Sequence, residues 1–245
     1  RAGIEIVPAT GRPFCGISDE IYRLDGVRYV LTTNGAGIYE RDSKTCLYED
    51  AIPLSAYLPM LAEVEAYDVM ADTFLKGGAL MTKRKRDLLP RMRLTKEIRD
   101  YILSSRQGVE SQVDYLRERG EDVEKLTINF AYDEDGHRID YDAVWEVLKK
   151  YPDVNAVSGG MKNIEVTKKG VSKASGLLYL GKKLGIAPEE MMVFGDSGND
   201  LDMIKMAGIG VAMANAEPEV LKAADFVTRS NNENGVGGFL ASADY

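Results

Sequence analysis

The amino-acid sequence predicts an α/β fold: a doubly wound parallel sheet with a second, α+β domain inserted into it. Three observations carry this expectation. In the last third, short apolar runs alternate with helix patterns, as a parallel sheet with crossovers requires. Polar clusters at Thr10, Asn34 and Asp196 each follow an apolar run, the place where ligands bind in such sheets. The middle of the chain, to about residue 166, alternates strands and helices differently. If the runs at 4–7 and 191–194 share one sheet, that middle is an insertion.

In chain order, residues 4–7 predict a short buried strand closed by Pro8-Ala9-Thr10, and 13–24 suit a helix. Residues 28–32 predict a strand ending in the turn cluster Asn34-Gly35-Ala36-Gly37. An amphipathic helix follows over 54–67. The middle segment predicts strands over 68–75, 125–132, 154–158 and 163–167, with helices over 96–104, 109–119 and 141–149. The last third predicts a helix over 173–184 stopped by Gly185, then a strand over 191–194. A helix over 199–207, a strand over 209–213, a helix over 218–224 and a strand over 226–228 complete it.

The 245 residues suffice for one large domain or two modest ones. A net charge of −8 argues against a general nucleic-acid binder. Cys15 and Cys46 make neither a disulfide framework nor a zinc spacing, so a reducing cytoplasm is the default expectation. No apolar run approaches a membrane span, and no signal peptide is visible. The single histidine, His137, excludes a multi-histidine metal site. The chain starts without Met, and Gly3 before an apolar run resembles a helix end, so a preceding segment is expected.

The densest chemistry lies in Phe194-Gly195-Asp196-Ser197-Gly198-Asn199-Asp200. Carboxylates, an amide and a hydroxyl at a strand end are costly unless a cation or an anionic ligand uses them. Mg²⁺ takes oxygen ligands, typically one or two carboxylates with waters and a phosphate, which suits Asp196 with Ser197 beside it. Asn199 and Asp200 open the next helix and can cap it or orient the ligands. A capped turn without a ligand is the plainer alternative. The twelfth position counted from Asp196 is Ala207 rather than Glu, which excludes an EF-hand. Gly-Asp-Ser-Gly also occurs around the nucleophile of trypsin-like proteases, but that fold is all-β and needs a histidine base.

Lys173 opens a predicted helix in Gly170-Val171-Ser172-Lys173. The helix dipole at that end favours anions, so lysine and helix terminus together make a phosphate seat; an ordinary surface lysine is the alternative. Thr10-Gly11-Arg12-Pro13 offers a hydroxyl and amides to an anion, although a plain strand-to-helix turn looks similar.

Together these residues resemble the haloacid dehalogenase superfamily of phosphotransferases, and within it the Cof-type sugar-phosphatase branch. Ala9-Thr10-Gly11-Arg12-Pro13 is similar to its second motif, whose Thr binds the phosphoryl group. Thr33-Asn34-Gly35-Ala36 is similar to its substrate-side loop, and Lys173 to its third motif, which steadies nucleophile and phosphate. Gly195 to Asp200 is similar to the fourth, whose first Asp ligates Mg²⁺ and whose Asn approaches the phosphate. Val211-Ala212-Met213-Ala214-Asn215-Ala216 and Ala224-Asp225 match the branch's C-terminal pattern. The resemblance implies a Rossmann-like core over 1–52 and 167–245 and a substrate-selecting cap over 53–166. Its implied site is catalytic Lys173 and Asp196; phosphate-binding Thr10, Gly11, Lys173 and Asn199; and metal-binding Asp196 and Ser197. Asp200 is expected to orient these groups, and Arg12, Asn34 and Gly35 to lie on the substrate side.

The family's first motif, Asp-x-Asp-Gly-Thr with the nucleophile, belongs further upstream of Thr10 than the nine residues present allow. The nucleophile is therefore expected before Arg1. Asp133-Glu134-Asp135-Gly136 copies part of that motif, but Asp-Gly is a hairpin-turn signal, and residues 126–130 alternate as in a half-exposed sheet. Asp140-Tyr141-Asp142 suits a helix N-cap. Lys83-Arg84-Lys85-Arg86, with Arg91 and Arg93, is expected to be a solvated face, or else a positive surface steering anions.

The resemblance implies a Mg²⁺-dependent phosphatase for a small phosphorylated metabolite, working through an aspartyl-phosphate. Neither nucleic acid nor membrane is expected as a partner, and the protein is expected to be a monomer or homodimer. A non-catalytic phosphate-binding module, and a phosphotransferase or mutase, remain alternatives at this level.

Overall fold

The structure, a computed structural model, describes residues 3–159 and 162–242. The chain divides into two compact units, Arg1–Val171 and Ser172–Tyr245.

In the first unit, strands β1 (Tyr29–Thr32), β2 (Gly37–Glu40) and β3 (Cys46–Glu49) form an antiparallel sheet in the order β1-β2-β3. The segment before it runs parallel to β1 but makes only isolated bridges, Ile6 to Val27 and Ala9 to Leu31. The buried strand expected at 4–7 is thus replaced by an extended segment with Ile4 76% exposed. Its apolar character is not matched by a ladder among the described residues. The rest of the helix end expected at the start, Arg1 and Ala2, lies outside the described residues. The helix expected over 13–24 is also corrected. It breaks into a 3-10 turn, Phe14–Gly16, and a short helix, Asp19–Arg23, because Ile17 and Ser18 are extended between them.

The same unit carries a six-stranded sheet in the order β6-β5-β4-β7-β9-β8. Its strands are β4 (Val69–Leu75), β5 (Gly78–Thr82), β6 (Gln107–Val109), β7 (Lys125–Phe130), β8 (Val154–Ser158) and β9 (Ile164–Lys168). Most pairings are antiparallel; β5 and β6 run parallel. Helices Leu54–Glu65, Gln112–Arg119 and Tyr141–Leu148 cover one face, where Tyr57, Leu61, Leu116, Val144, Leu126 and Ile128 share a core. Burying such side chains stabilises the fold by about 1.5–3 kcal/mol each.

The opposite face corrects the expectation of a half-exposed sheet. Every residue of β7 is buried, including Lys125, Thr127 and Asn129. Polar partners rather than water meet this face: Asn129 Nδ2 donates to Asp72 Oδ2 (3.4 Å), which also accepts from Arg106 Nε (3.3 Å). A smaller apolar cluster of Met70, Met81, Leu88, Leu89, Met92 and Ile102 adjoins it. Leu88 and Leu89 belong to the 3-10 stretch Lys83–Arg91, which holds the basic run. Lys83 and Arg84 are exposed, as a solvated face requires, with Lys83 pairing with the exposed Glu110 at 2.7 Å, while the half-buried Lys85 donates to the Tyr67 carbonyl.

Asp133 to Gly136 is the expected turn, with Gly136 at φ 87° and its N–H donating to the Asp133 carbonyl (3.2 Å). Asp140 occupies an N-cap position, but its carboxylate accepts from the Asp68 N–H (3.1 Å) instead of capping its own helix. The helix expected from 109 starts at Gln112, after β6.

In the second unit, β10 (Met192–Gly195), β11 (Ile209–Met213) and β12 (Phe226–Thr228) pair in parallel in the order β10-β11-β12. Helix Leu201–Met206 makes the crossover from β10 to β11 and Pro218–Ala223 that from β11 to β12, while Lys173–Leu184 leads into β10; Val193, Met203, Ile204, Val211 and Val220 are buried. This is the α/β pattern the sequence predicts. Lys173–Leu184 starts and ends where expected, with a Ser172–Ser175 capping box and a left-handed Gly185 at its C-cap.

Burial pushes the Asp72 carboxyl up to about 6, against the opposing pull of Arg106. The native state therefore binds more protons at this site than the unfolded chain between about pH 4 and 6, and stability from it falls as pH rises through that window. Thermal melts of the wild type and Asp72→Asn across pH 4–7 are expected to show the wild type losing stability relative to the variant as pH increases.

Candidate active site

In the first unit, the structure brings Thr10, Gly11, Arg12, Asn34 and Gly35 together. The Thr10 N–H donates to the Leu31 carbonyl (2.9 Å), the Asn34 N–H to the Thr10 carbonyl (3.1 Å) and the Thr33 N–H to the Arg12 carbonyl (3.0 Å). The turn after residue 9 and the turn after β1 are thereby laced into one backbone unit. The Arg12 N–H donates to Thr10 Oγ1 (3.1 Å), so the Thr10 hydroxyl accepts from its own turn and its proton remains to donate outward. Thr33 (φ 49°), Asn34 (φ 58°) and Gly35 (φ 100°) are successively left-handed. For a β-branched Thr this is a strained conformation that its surroundings must enforce. The Arg12 guanidinium lies 4.5 Å over the Tyr101 ring.

In the second unit, Lys173, Asp196, Ser197 and Asp200 converge. Lys173 is 6% exposed and is no surface lysine; its Nζ donates to Asp200 Oδ1 at 2.6 Å. The other oxygen of Asp200, a residue 4% exposed, accepts from the N–H groups of Asp196 (3.0 Å) and Ser197 (3.1 Å). Asp200 therefore ties the strand end to the lysine. Gly195 makes this approach possible: a Cβ there would meet the Asp200 Cβ at 2.5 Å.

Asp196 differs from Asp200. It is half-buried, and its carboxylate accepts from Ser197 Oγ (3.2 Å) and Asn215 Nδ2 (3.3 Å), both neutral groups. Among the described residues no cation pairs with it. A carboxylate with neutral neighbours at a strand end is the donor set a hard cation takes, and the residues fit Mg²⁺. Asn199 lies half-buried in the 3-10 turn Gly198–Asp200 between these two carboxylates.

Sequence reasoning passed over Glu124, Lys125 and Glu165. Lys125 Nζ donates to the Gly11 carbonyl (2.9 Å) and to Glu165 Oε1 (2.7 Å), while Asn34 Nδ2 donates to Glu165 Oε2 (2.6 Å). Glu124 accepts from Thr33 Oγ1 (3.1 Å), Tyr39 OH (2.8 Å) and the Gly77 N–H (3.0 Å). Burial raises the Glu124 pKa above the ordinary carboxylate value. The Lys-Leu-Thr-Ile-Asn alternation of β7 was the available signal, but it equally describes a wet face.

The family model of haloacid dehalogenase-like hydrolases matches residues 1–240, and the chain belongs to that family. Phosphatase YwpJ of Bacillus subtilis (strain 168) is 28% identical over 98% of this chain and 88% of its own length. A haloacid dehalogenase-like hydrolase structure from B. subtilis superposes with a TM-score of 0.81 at 26% identity, covering 98% of this chain and 88% of that one. The subclass IIB sugar phosphatase BT4131 superposes with a TM-score of 0.76 at 26% identity, covering 98% and 85%. Two further B. subtilis relatives match over only 35% and 49% of their own length. The fold and the phosphoric monoester hydrolase class are thus those of its relatives.

Replacing Lys173 by Met leaves the buried Asp200 carboxylate without its counter-ion. Such a change is expected to cost about 3–5 kcal/mol, read as a shift in urea denaturation. The double variant Lys173→Met/Asp200→Asn is expected to recover part of that loss.

Proposed function

We propose that the full-length protein is a Mg²⁺-dependent phosphatase hydrolysing a small phosphate monoester, a sugar phosphate or a phosphorylated cofactor, through an aspartyl-phosphate. The observation that carries this is the division of labour between two neighbouring carboxylates. Asp200 is taken up by Lys173 and two backbone N–H groups, whereas Asp196 keeps only neutral partners. That contrast suits one orienting carboxylate and one cation ligand.

Mg²⁺ would be held by Asp196 with Ser197, and when bound it would neutralise charge on the transferring phosphoryl group. Thr10 contributes a hydroxyl proton, and the Gly11 turn contributes amide donors, for phosphoryl oxygens. Lys173 supplies fixed positive charge at a helix start, and Asn199 a polar amide for the phosphate. Asn34, Gly35 and Arg12 line the substrate side. The resemblance gives the attack to the first Asp of the family's Asp-x-Asp motif: its oxygen bonds to phosphorus as the ester P–O bond breaks and the second Asp gives its proton to the leaving oxygen; water then attacks phosphorus, returning a proton to that Asp and freeing the carboxylate.

Residues 53–166 would act as the cap that selects the leaving group. The net charge of −8 supports a small metabolite rather than nucleic acid as partner. Among the described residues no helix is long and apolar enough to cross a membrane.

Asp196→Asn in the full-length protein is expected to lower phosphatase kcat by about 100-fold or more, since metal charge stabilisation is worth several kcal/mol. Calorimetric titration is expected to show Mg²⁺ binding lost in the same variant. Unchanged activity and unchanged Mg²⁺ affinity would refute the assignment.

A further inference from the structure

The strained turn Thr33–Gly35 and the anion-seat turn Thr10–Arg12 are gripped by three charged side chains that the proposed chemistry does not use. Glu124 and Lys125 are consecutive, so on extended chain their side chains leave in opposite directions. Glu124, fully buried, takes the Thr33 hydroxyl at 3.1 Å. Lys125, 2% exposed, takes the Gly11 carbonyl at 2.9 Å and Glu165 at 2.7 Å. Glu165 in turn holds the Asn34 amide at 2.6 Å. Buried charges are expensive, and here each one ends on a residue of the two turns. A Cβ on Gly11 would lie 2.8 Å from Asn34 Oδ1 and 3.2 Å from Lys125 Nζ, so any larger residue there would push on both side chains.

The geometry points to Glu124, Lys125 and Glu165 as a positioning clamp that sets both turns for an oxyanion. The inference rests on the phosphatase reading only for which oxyanion is bound. Its physical chain is short. The peptide joining Gly11 to Arg12 is planar and trans, so its C=O and N–H point in opposite directions. Lys125 fixes the carbonyl, and the N–H is thereby aimed at Thr10 Oγ1, where it is found at 3.1 Å. With one lone pair so engaged, the Thr10 hydroxyl keeps its proton to donate to an oxyanion. Glu124 accepts from the Thr33 hydroxyl and Glu165 from the Asn34 amide, so each of the two left-handed residues is held by a carboxylate while the Asn34 N–H stays on the Thr10 carbonyl. The three residues act through Gly11, Thr33 and Asn34.

The test uses the full-length protein, with inorganic phosphate and Mg²⁺ as separate calorimetric ligands. Lys125→Met is compared with Lys125→Met/Glu165→Gln, which leaves no carboxylate behind unpaired. Both are expected to bind phosphate at least about tenfold more weakly, the scale of one charge-assisted hydrogen bond. Mg²⁺ affinity should stay within twofold of wild type, and KM should rise more than kcat falls. Phosphate affinity unchanged in the double variant overturns the clamp. Tighter phosphate binding also overturns it, because Glu165 would then be a competitor for the anion. Parallel loss of Mg²⁺ binding and thermal stability in the double variant reduces the three residues to a fold-stabilising role and overturns it as well. A wild type that binds phosphate yet releases none from any ester refutes the phosphatase reading alone, and phosphate affinity still decides the clamp.

Discussion

Charge taken out of water must be answered by charge or by aligned hydrogen-bond donors, and this constraint shapes both units. In the second unit it is met by Lys173 and Asp200, joined at 2.6 Å with both side chains almost fully buried. Unpaired, either group would cost several kcal/mol. Paired, they fix the start of helix Lys173–Leu184 against the end of β10. The second oxygen of Asp200 then collects the N–H groups of Asp196 and Ser197, so the loop after the strand has no freedom to relax. Asp196 is left with its carboxylate oriented and its charge unanswered by any cation among the described residues.

The first unit meets the same constraint with a larger set. Arg106 answers Asp72, Lys125 answers Glu165, and Glu124 is answered by three neutral donors. Burial raises the pKa of both Asp72 and Glu124: neither the Arg106 cation at the one nor the three neutral donors at the other outweigh the loss of water. The polar face of the six-stranded sheet is therefore costly as packing, but it specifies one arrangement of the turns it holds.

Much of the fold was legible because local signals agreed with tertiary ones. Ser172 as a cap and Gly185 as a stop bound the helix between them, and apolar runs without polar alternation marked the parallel strands β10 and β11. Residues 4–7 misled because an apolar run says nothing about whether a ladder partner exists. Residues 13–24 misled because Ile17 and Ser18 carry no strong breaker signal. Strands β2, β3, β5 and β6 were missed. Their short runs, such as Gly-Ile-Tyr-Glu and Cys-Leu-Tyr-Glu, are too brief for periodicity to separate from loop. Among the candidate residues, Thr10 and Asn34 in the first unit and Lys173 and Asp196 in the second stood out because each is polar at an element's end. Glu124, Lys125 and Glu165 did not. A charged residue on an alternating strand implies solvent, and only contacts across 91 to 131 residues of sequence reveal otherwise.

The account makes water the final acceptor of the phosphoryl group, which separates a phosphatase from a phosphotransferase or a passive phosphate binder. The direct measurement is mass spectrometry of inorganic phosphate released from a sugar phosphate by the full-length protein with Mg²⁺ in ¹⁸O-labelled water. The account predicts phosphate carrying a single oxygen from the solvent per turnover. Phosphate released without the label, a phosphoryl group moved to another sugar hydroxyl, or no turnover at all would contradict it.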